Sequence, residues 1–173
     1  ASDVYKRQAR YIDDRLGSLP EQDYVLEPDG ASVRNLWRME KHDPFFDELA
    51  HRPEIVGLVG PLVHGDPVLM GVESFNKPAH VGSPVPPHQD NAYFCWAPPD
   101  ALTVWIALDA ATHENGPIYY IRGSHRGGLL PHGASGVSGN SMGLKAPPKC
   151  DDPFIGLLEA GDALIHHAET IHY

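Results

Sequence analysis

"PPHQDNAYFCWAPPD", residues 86–100, sets His88 and Asp90 one residue apart between two proline pairs. Prolines withhold backbone donors and hinder long ladders, so the two side chains belong to a short element. On an extended strand, residues i and i+2 share a face. His88 and Asp90 would then project together, with Gln89 turned away. An imidazole beside a carboxylate makes up most of the two-histidine, one-carboxylate set that holds ferrous iron and leaves positions open. The third ligand must then arrive from a distant strand. The final "HHAETIHY", residues 166–173, offers His166, His167 and His172. The ordinary alternative is a hydrogen-bonded His–Asp pair at a turn.

Around that stretch the pattern is strand-like. "PVLMGVESFNK" alternates from Pro67, placing Val68, Met70 and Val72 on one face. "ALTVWIALDAA" places Leu102, Val104, Ile106 and Leu108 on one face and Thr103, Trp105 and Ala107 on the other. "GPIYYIRGSH", "FIGLLEAGDALIHH" and "ETIHY" complete the predicted strands. His125 to Asp152 is rich in Gly, Ser and Pro without periodicity, and reads as a long loop over the site.

Further upstream the period becomes helical. Ala9 to Leu16 reads as a helix stub, and a Pro28–Gly30 turn separates two short strands in "VLEPDGASVRNLWRM". Asp43 before Pro44 is a helix start, an N-cap carboxylate followed by a residue whose missing N–H costs nothing there. Pro53 opens a second helix with Ile55, Leu58, Val59 and Leu62 on one side. Helices followed by a run of short strands predict a mostly β, α+β domain, with a jelly roll or barrel whose mouth can hold a site.

Composition narrows the partners. The chain has 173 residues, long enough for a real core, and its 17 Gly and 17 Pro suit many turns. A net charge of −10 argues against nucleic acid and against an anionic membrane surface. No apolar run approaches the roughly 18–20 residues of a membrane span. Two cysteines without a CxxC pair predict reduced thiols in a cytoplasmic protein. The first eight residues, "ASDVYKRQ", match a translated sequencing adapter and are expected to lie outside the domain, leaving 9–173 for it.

"PPHQDNAYF", "PPDALTVWIALDAATHENGPIYYIRGSHRGGLLPH" and "GDALIHHAETIHY" together resemble the phytanoyl-CoA dioxygenase family of iron(II)- and 2-oxoglutarate-dependent oxygenases, from about Val25 to the end. The resemblance implies a double-stranded β-helix, a cupin-like jelly roll with N-terminal helices outside. It implies His88, Asp90 and His172 as the iron ligands, the last because it follows a strand opening at Gly161-Asp162. His166 and His167 fall earlier in the pattern, as strand or supporting residues. Lys77 and Trp105 match positions that contact 2-oxoglutarate. The implied reaction couples 2-oxoglutarate, dioxygen and a small organic or acyl substrate, and hydroxylates an unactivated C–H bond.

One departure concerns the far carboxylate of 2-oxoglutarate. The family grips it with a serine by the distal histidine and a basic residue beyond, whereas Tyr173 follows His172 here. The last strand is therefore expected to be missing, and the co-substrate site incomplete. Gln89 and His132 are the polar residues expected to meet substrate. Asp90 is expected to carry activity but little packing. Two other classes share the ligands: a cupin-like zinc or manganese isomerase or hydrolase, and a non-catalytic domain with structural histidines.

Overall fold

The computed structural model describes Lys6 and residues 16–173, so the helix expected from Ala9 to Leu16 lies, apart from Leu16, outside the described residues. The chain divides into two compact units at Gly82.

In the first unit, β1 (Tyr24–Leu26), β2 (Val33–Leu36) and β3 (Ser74–Phe75) form an antiparallel sheet in that order. The β1–β2 turn is where the sequence places it. Asp29 Oδ1 accepts from the N–H groups of Ala31 and Ser32, and Gly30 takes a φ of 69° that a side chain would resist. Three helices follow β2: α1 (Met39–His42), α2 (Pro44–Ala50) and α3 (Pro53–Val59). Val33, Leu36, Met39 and Phe46 form the core of this unit. A buried ion pair, Arg34 to Glu27 at 2.9 Å, lies in the same unit, with the guanidinium 4.9 Å from the Phe75 ring centre.

Asp43 caps α2 as the sequence predicts, its carboxylate accepting from the Phe45 N–H at 3.0 Å. Asp43→Ala is expected to lower stability by about 1 kcal/mol, read as a lower urea midpoint. The strand expected from Pro67 is shorter than its alternation suggests. Only Ser74 and Phe75 pair, while Val68 is 85% and Met70 51% exposed. The reason is where the backbone bonds go. The Val72 N–H donates to Glu40 and its carbonyl accepts from the Met39 N–H, fastening the segment to α1 instead of a sheet. Likewise α3 forms at Pro53 but ends at Val59, and Leu58 on it and Leu62 in the 3-10 turn that follows stay exposed.

The second unit carries α4 (Asn91–Phe94) and six strands: β4 (Leu102–Ile106), β5 (Ile118–Tyr120), β6 (His132–Val137), β7 (Asn140–Leu144), β8 (Phe154–Gly156) and β9 (Ala163–His167). Their pairing is nested and antiparallel, β4 with β9, β5 with β8 and β6 with β7. Gly156 permits the close approach of β8. A Cβ there would meet Leu164 Cδ1 at 2.6 Å and the Ile118 carbonyl at 3.2 Å.

The stretch expected to be a long loop contains the β6–β7 hairpin. Its Gly- and Ser-rich strands lack the apolar alternation that reveals a half-buried ladder, so the sequence conceals it. Among the described residues no helix is long and apolar enough to cross a membrane.

Candidate metal centre

His88 and His172 are brought together by the backbone. Each donates its N–H to the other's carbonyl, at 3.0 and 3.1 Å, in a one-residue antiparallel bridge. Their rings lie side by side, with centres 4.2 Å apart. His172 also bridges Tyr120, which ties the end of the chain to β5. Both imidazoles are oriented alike: Nδ1 of His88 meets the Pro86 carbonyl at 2.9 Å, and Nδ1 of His172 meets the Thr170 carbonyl at 2.9 Å. A carbonyl only accepts, so each Nδ1 carries a hydrogen, and in the neutral ring Nε2 is the nitrogen left with the lone pair that a metal would take.

Asp90 reaches the same point by a different route from the one the sequence suggests. The strand does not continue through it. Asp90 has helical angles, φ −58° and ψ −34°, and leads into α4. A turn, not a shared strand face, sends its carboxylate back toward His88. The physical cause is visible in the bonds of α4. The Tyr93 and Phe94 N–H groups donate to the Asp90 carbonyl, which a strand would have given to a neighbour.

Asp90 Oδ1 lies 3.5 Å from His88 Nε2 and 3.4 Å from His172 Nε2. All three ligand atoms fall within 4.8 Å of one another. The imidazole–carboxylate separations suit neighbouring ligands of one ion bonded at about 2.0–2.2 Å. Burial works against the Asp90 charge, but the imidazoles of His166, His88 and His172 around the carboxylate bring its pKa below the ordinary carboxylate value. Burial pushes the His172 pKa down to about 3 against the pull of Asp90. An ionised carboxylate and a neutral imidazole are the protonation states metal binding requires.

The remaining predicted residues fall elsewhere. His166, on β9, places Nε2 3.0 Å from Asp90 Oδ2. His167 turns away, and its Nδ1 accepts from the Glu169 N–H. Trp105 is half-buried on β4, and Lys77 is exposed in the first unit. Gln89 and His132, expected to meet substrate, both bond within the protein. Gln89 is 0% exposed and its amide is taken by Gly128, Leu130 and Glu169 backbone. His132 accepts the Gln89 N–H at Nε2 and donates Nδ1–H to the Leu130 carbonyl, so both its ring nitrogens are engaged.

These bonds also fasten the hairpin beside the site. The Leu144 N–H donates to the Pro87 carbonyl at 2.8 Å, and the Tyr93 hydroxyl bonds both the N–H and the carbonyl of Met142. Thr103 and Tyr120 were not singled out by sequence. Thr103 Oγ1 donates to Asp90 Oδ2 at 2.7 Å. The hydroxyl within the apolar run "LTVWI" was the available signal.

Comparison with known proteins bears on the same site. The family model described as phytanoyl-CoA dioxygenase matches residues 3–173. Phytanoyl-CoA dioxygenase domain-containing protein 1 of Rattus norvegicus is 31% identical over 164 residues, covering 90% of this chain and 56% of that protein. L-proline trans-4-hydroxylase of Streptomyces griseoviridis is 32% identical over 133 residues, covering 75% of this chain and 50% of that one. The chain thus spans about half the length of the curated relatives it matches. The apoform crystal structure of EctD from S. alaskensis shares the fold with a TM-score of 0.71 at 18% identity, over 98% of this chain and 60% of that one.

Proposed function

This chain belongs to the phytanoyl-CoA dioxygenase family, and from that premise we propose that it forms the metal-binding part of a non-heme iron(II)- and 2-oxoglutarate-dependent dioxygenase. The reaction proposed is hydroxylation of an unactivated C–H bond in a small organic or acyl substrate. The observation that carries this reading is the convergence of His88 Nε2, Asp90 Oδ1 and His172 Nε2. Two neutral nitrogens and one carboxylate oxygen fit ferrous iron and leave coordination positions for a co-substrate. The nested strand pairing of the second unit supports a jelly-roll core, as the fold shared with EctD does.

When bound, iron(II) supplies the coupling of 2-oxoglutarate oxidation, to succinate and carbon dioxide, with substrate hydroxylation by dioxygen. The chain's own part is to present and protect. The Pro86 and Thr170 carbonyls fix which nitrogen each imidazole offers. The Asp90 carboxylate contributes the negative charge that a divalent ion needs. His88 and His172 are 6% and 7% exposed, so water has little access to the ligand atoms. Lys77 and Trp105 are proposed co-substrate contacts on the family resemblance alone.

The test is succinate formation from 2-oxoglutarate by the intact protein, with iron(II), in air and under nitrogen. Oxygen- and iron-dependent succinate is the expected result. Turnover of a substrate with zinc alone, needing neither oxygen nor the keto acid, would replace this reading with a zinc hydrolase or isomerase.

A further inference from the structure

Asp90 uses its two oxygens differently. Oδ1 faces the Nε2 atoms of His88 and His172, whereas Oδ2 receives Thr103 Oγ1 at 2.7 Å and His166 Nε2 at 3.0 Å. The two donors are no accident of loop conformation. Thr103 and His166 stand directly opposite each other in the β4–β9 ladder, so strand register fixes both at once. His166 is held from its other side. Its Nδ1 lies 2.9 Å from the hydroxyl of buried Tyr120. An ionised carboxylate only accepts, so His166 Nε2 carries a hydrogen, and in the neutral ring Nδ1 accepts from the Tyr120 O–H. The chain of donors runs one way, from Tyr120 through His166 to Asp90.

We propose that Thr103, His166 and Tyr120 are positioning residues that restrict Asp90 to one-oxygen coordination by occupying Oδ2. This rests on the metal-centre reading and extends it to residues that touch no metal ligand atom facing the ion. A carboxylate free to rotate can place both oxygens on a metal and so consume a position that a chelating co-substrate requires. With Oδ2 held by two donors, only Oδ1 remains, and the protein contributes three atoms rather than four. Partners of this kind typically govern metal affinity by about 10–100-fold.

Cobalt(II) titration of the metal-free intact protein tests the proposal, since bound cobalt reports affinity and, through its visible absorption, coordination number. Thr103→Val exchanges the hydroxyl for a methyl on a strand that favours valine, and Tyr120→Phe removes only the phenolic oxygen. Both are expected to weaken cobalt binding about 10-fold or more and to alter the intensity of the visible bands. Thr103→Ser, which restores the donor, should return both toward wild type. Wild-type affinity and spectrum in Thr103→Val and Tyr120→Phe would overturn the positioning role while leaving the metal centre in place. So would a loss in Thr103→Ser equal to that in Thr103→Val, because side-chain bulk and not the hydroxyl would then matter. Failure of the wild-type protein itself to bind cobalt would bring down the metal-centre reading, and this role with it.

Discussion

Asp90→Ala is expected to reduce succinate formation to background and to weaken iron(II) or cobalt(II) binding by at least about two orders of magnitude. That exceeds what loss of an outer hydrogen-bond partner typically costs, because a bond to the ion and its charge neutralisation go together. The sequence alone suggests that stability would be nearly untouched, since a ligand carries little packing. The structure corrects that expectation. The Asp90 side chain is 14% exposed, and its Oδ2 accepts from both Thr103 and His166. Removing it leaves a part-buried hydroxyl and an imidazole N–H without this acceptor, which costs about 1–3 kcal/mol. The metal-free protein should therefore unfold at lower denaturant in Asp90→Ala. Asp90→Asn separates the two effects: it keeps the shape and one acceptor oxygen, so stability should hold better while metal affinity still collapses. A variant at Asp90 that is destabilised yet turns over at near wild-type rate per folded molecule would remove Asp90 from the metal set.

The contrast between these two halves of Asp90 explains what the sequence could reveal. The spacing of His88 and Asp90 marks the site, because ligands close in sequence leave a local trace. The reason they converge was not legible, since a strand and a turn into α4 both bring residues i and i+2 together. Spacing left His166, His167 and His172 equivalent. The structure separates them through the His88–His172 bridge, a pairing across most of the second unit. Asp43 and the Pro28–Gly30 turn were readable because caps and turns are decided by neighbours in the chain. Thr103 was not, because its meaning comes from lying opposite His166 on a strand far away in sequence. Val68 and Met70 show the converse failure. Alternation makes a strand only where a partner takes the backbone bonds, and Val72 gives its bonds to α1.

Gln89→Leu is the sharper test of a residue that sequence alone places at the substrate. Leucine is similar in size, so it fills the space of a side chain that is 0% exposed. What it removes is a junction. The amide nitrogen donates to the carbonyls of Gly128 at 2.9 Å and Glu169 at 2.7 Å, and Oε1 accepts from the Leu130 N–H at 2.8 Å. One side chain thus holds the turn carrying His88 and Asp90, the approach to the β6–β7 hairpin, and the segment just before His172. Each backbone group left unpaired in a buried position costs about 1–3 kcal/mol. Partial relaxation makes the three non-additive, so about 3 kcal/mol is the expected loss, a large share of the roughly 5–15 kcal/mol that holds a domain folded. Metal affinity should fall as well, because the Glu169 tether lies three residues from His172 and the Gln89 backbone joins His88 and Asp90, the other two proposed ligands. A substrate contact predicts a different pattern: an unchanged unfolding midpoint, unchanged cobalt binding and a raised KM. Urea unfolding beside cobalt titration distinguishes the two, and an unaltered midpoint would return Gln89 to the substrate side of the site.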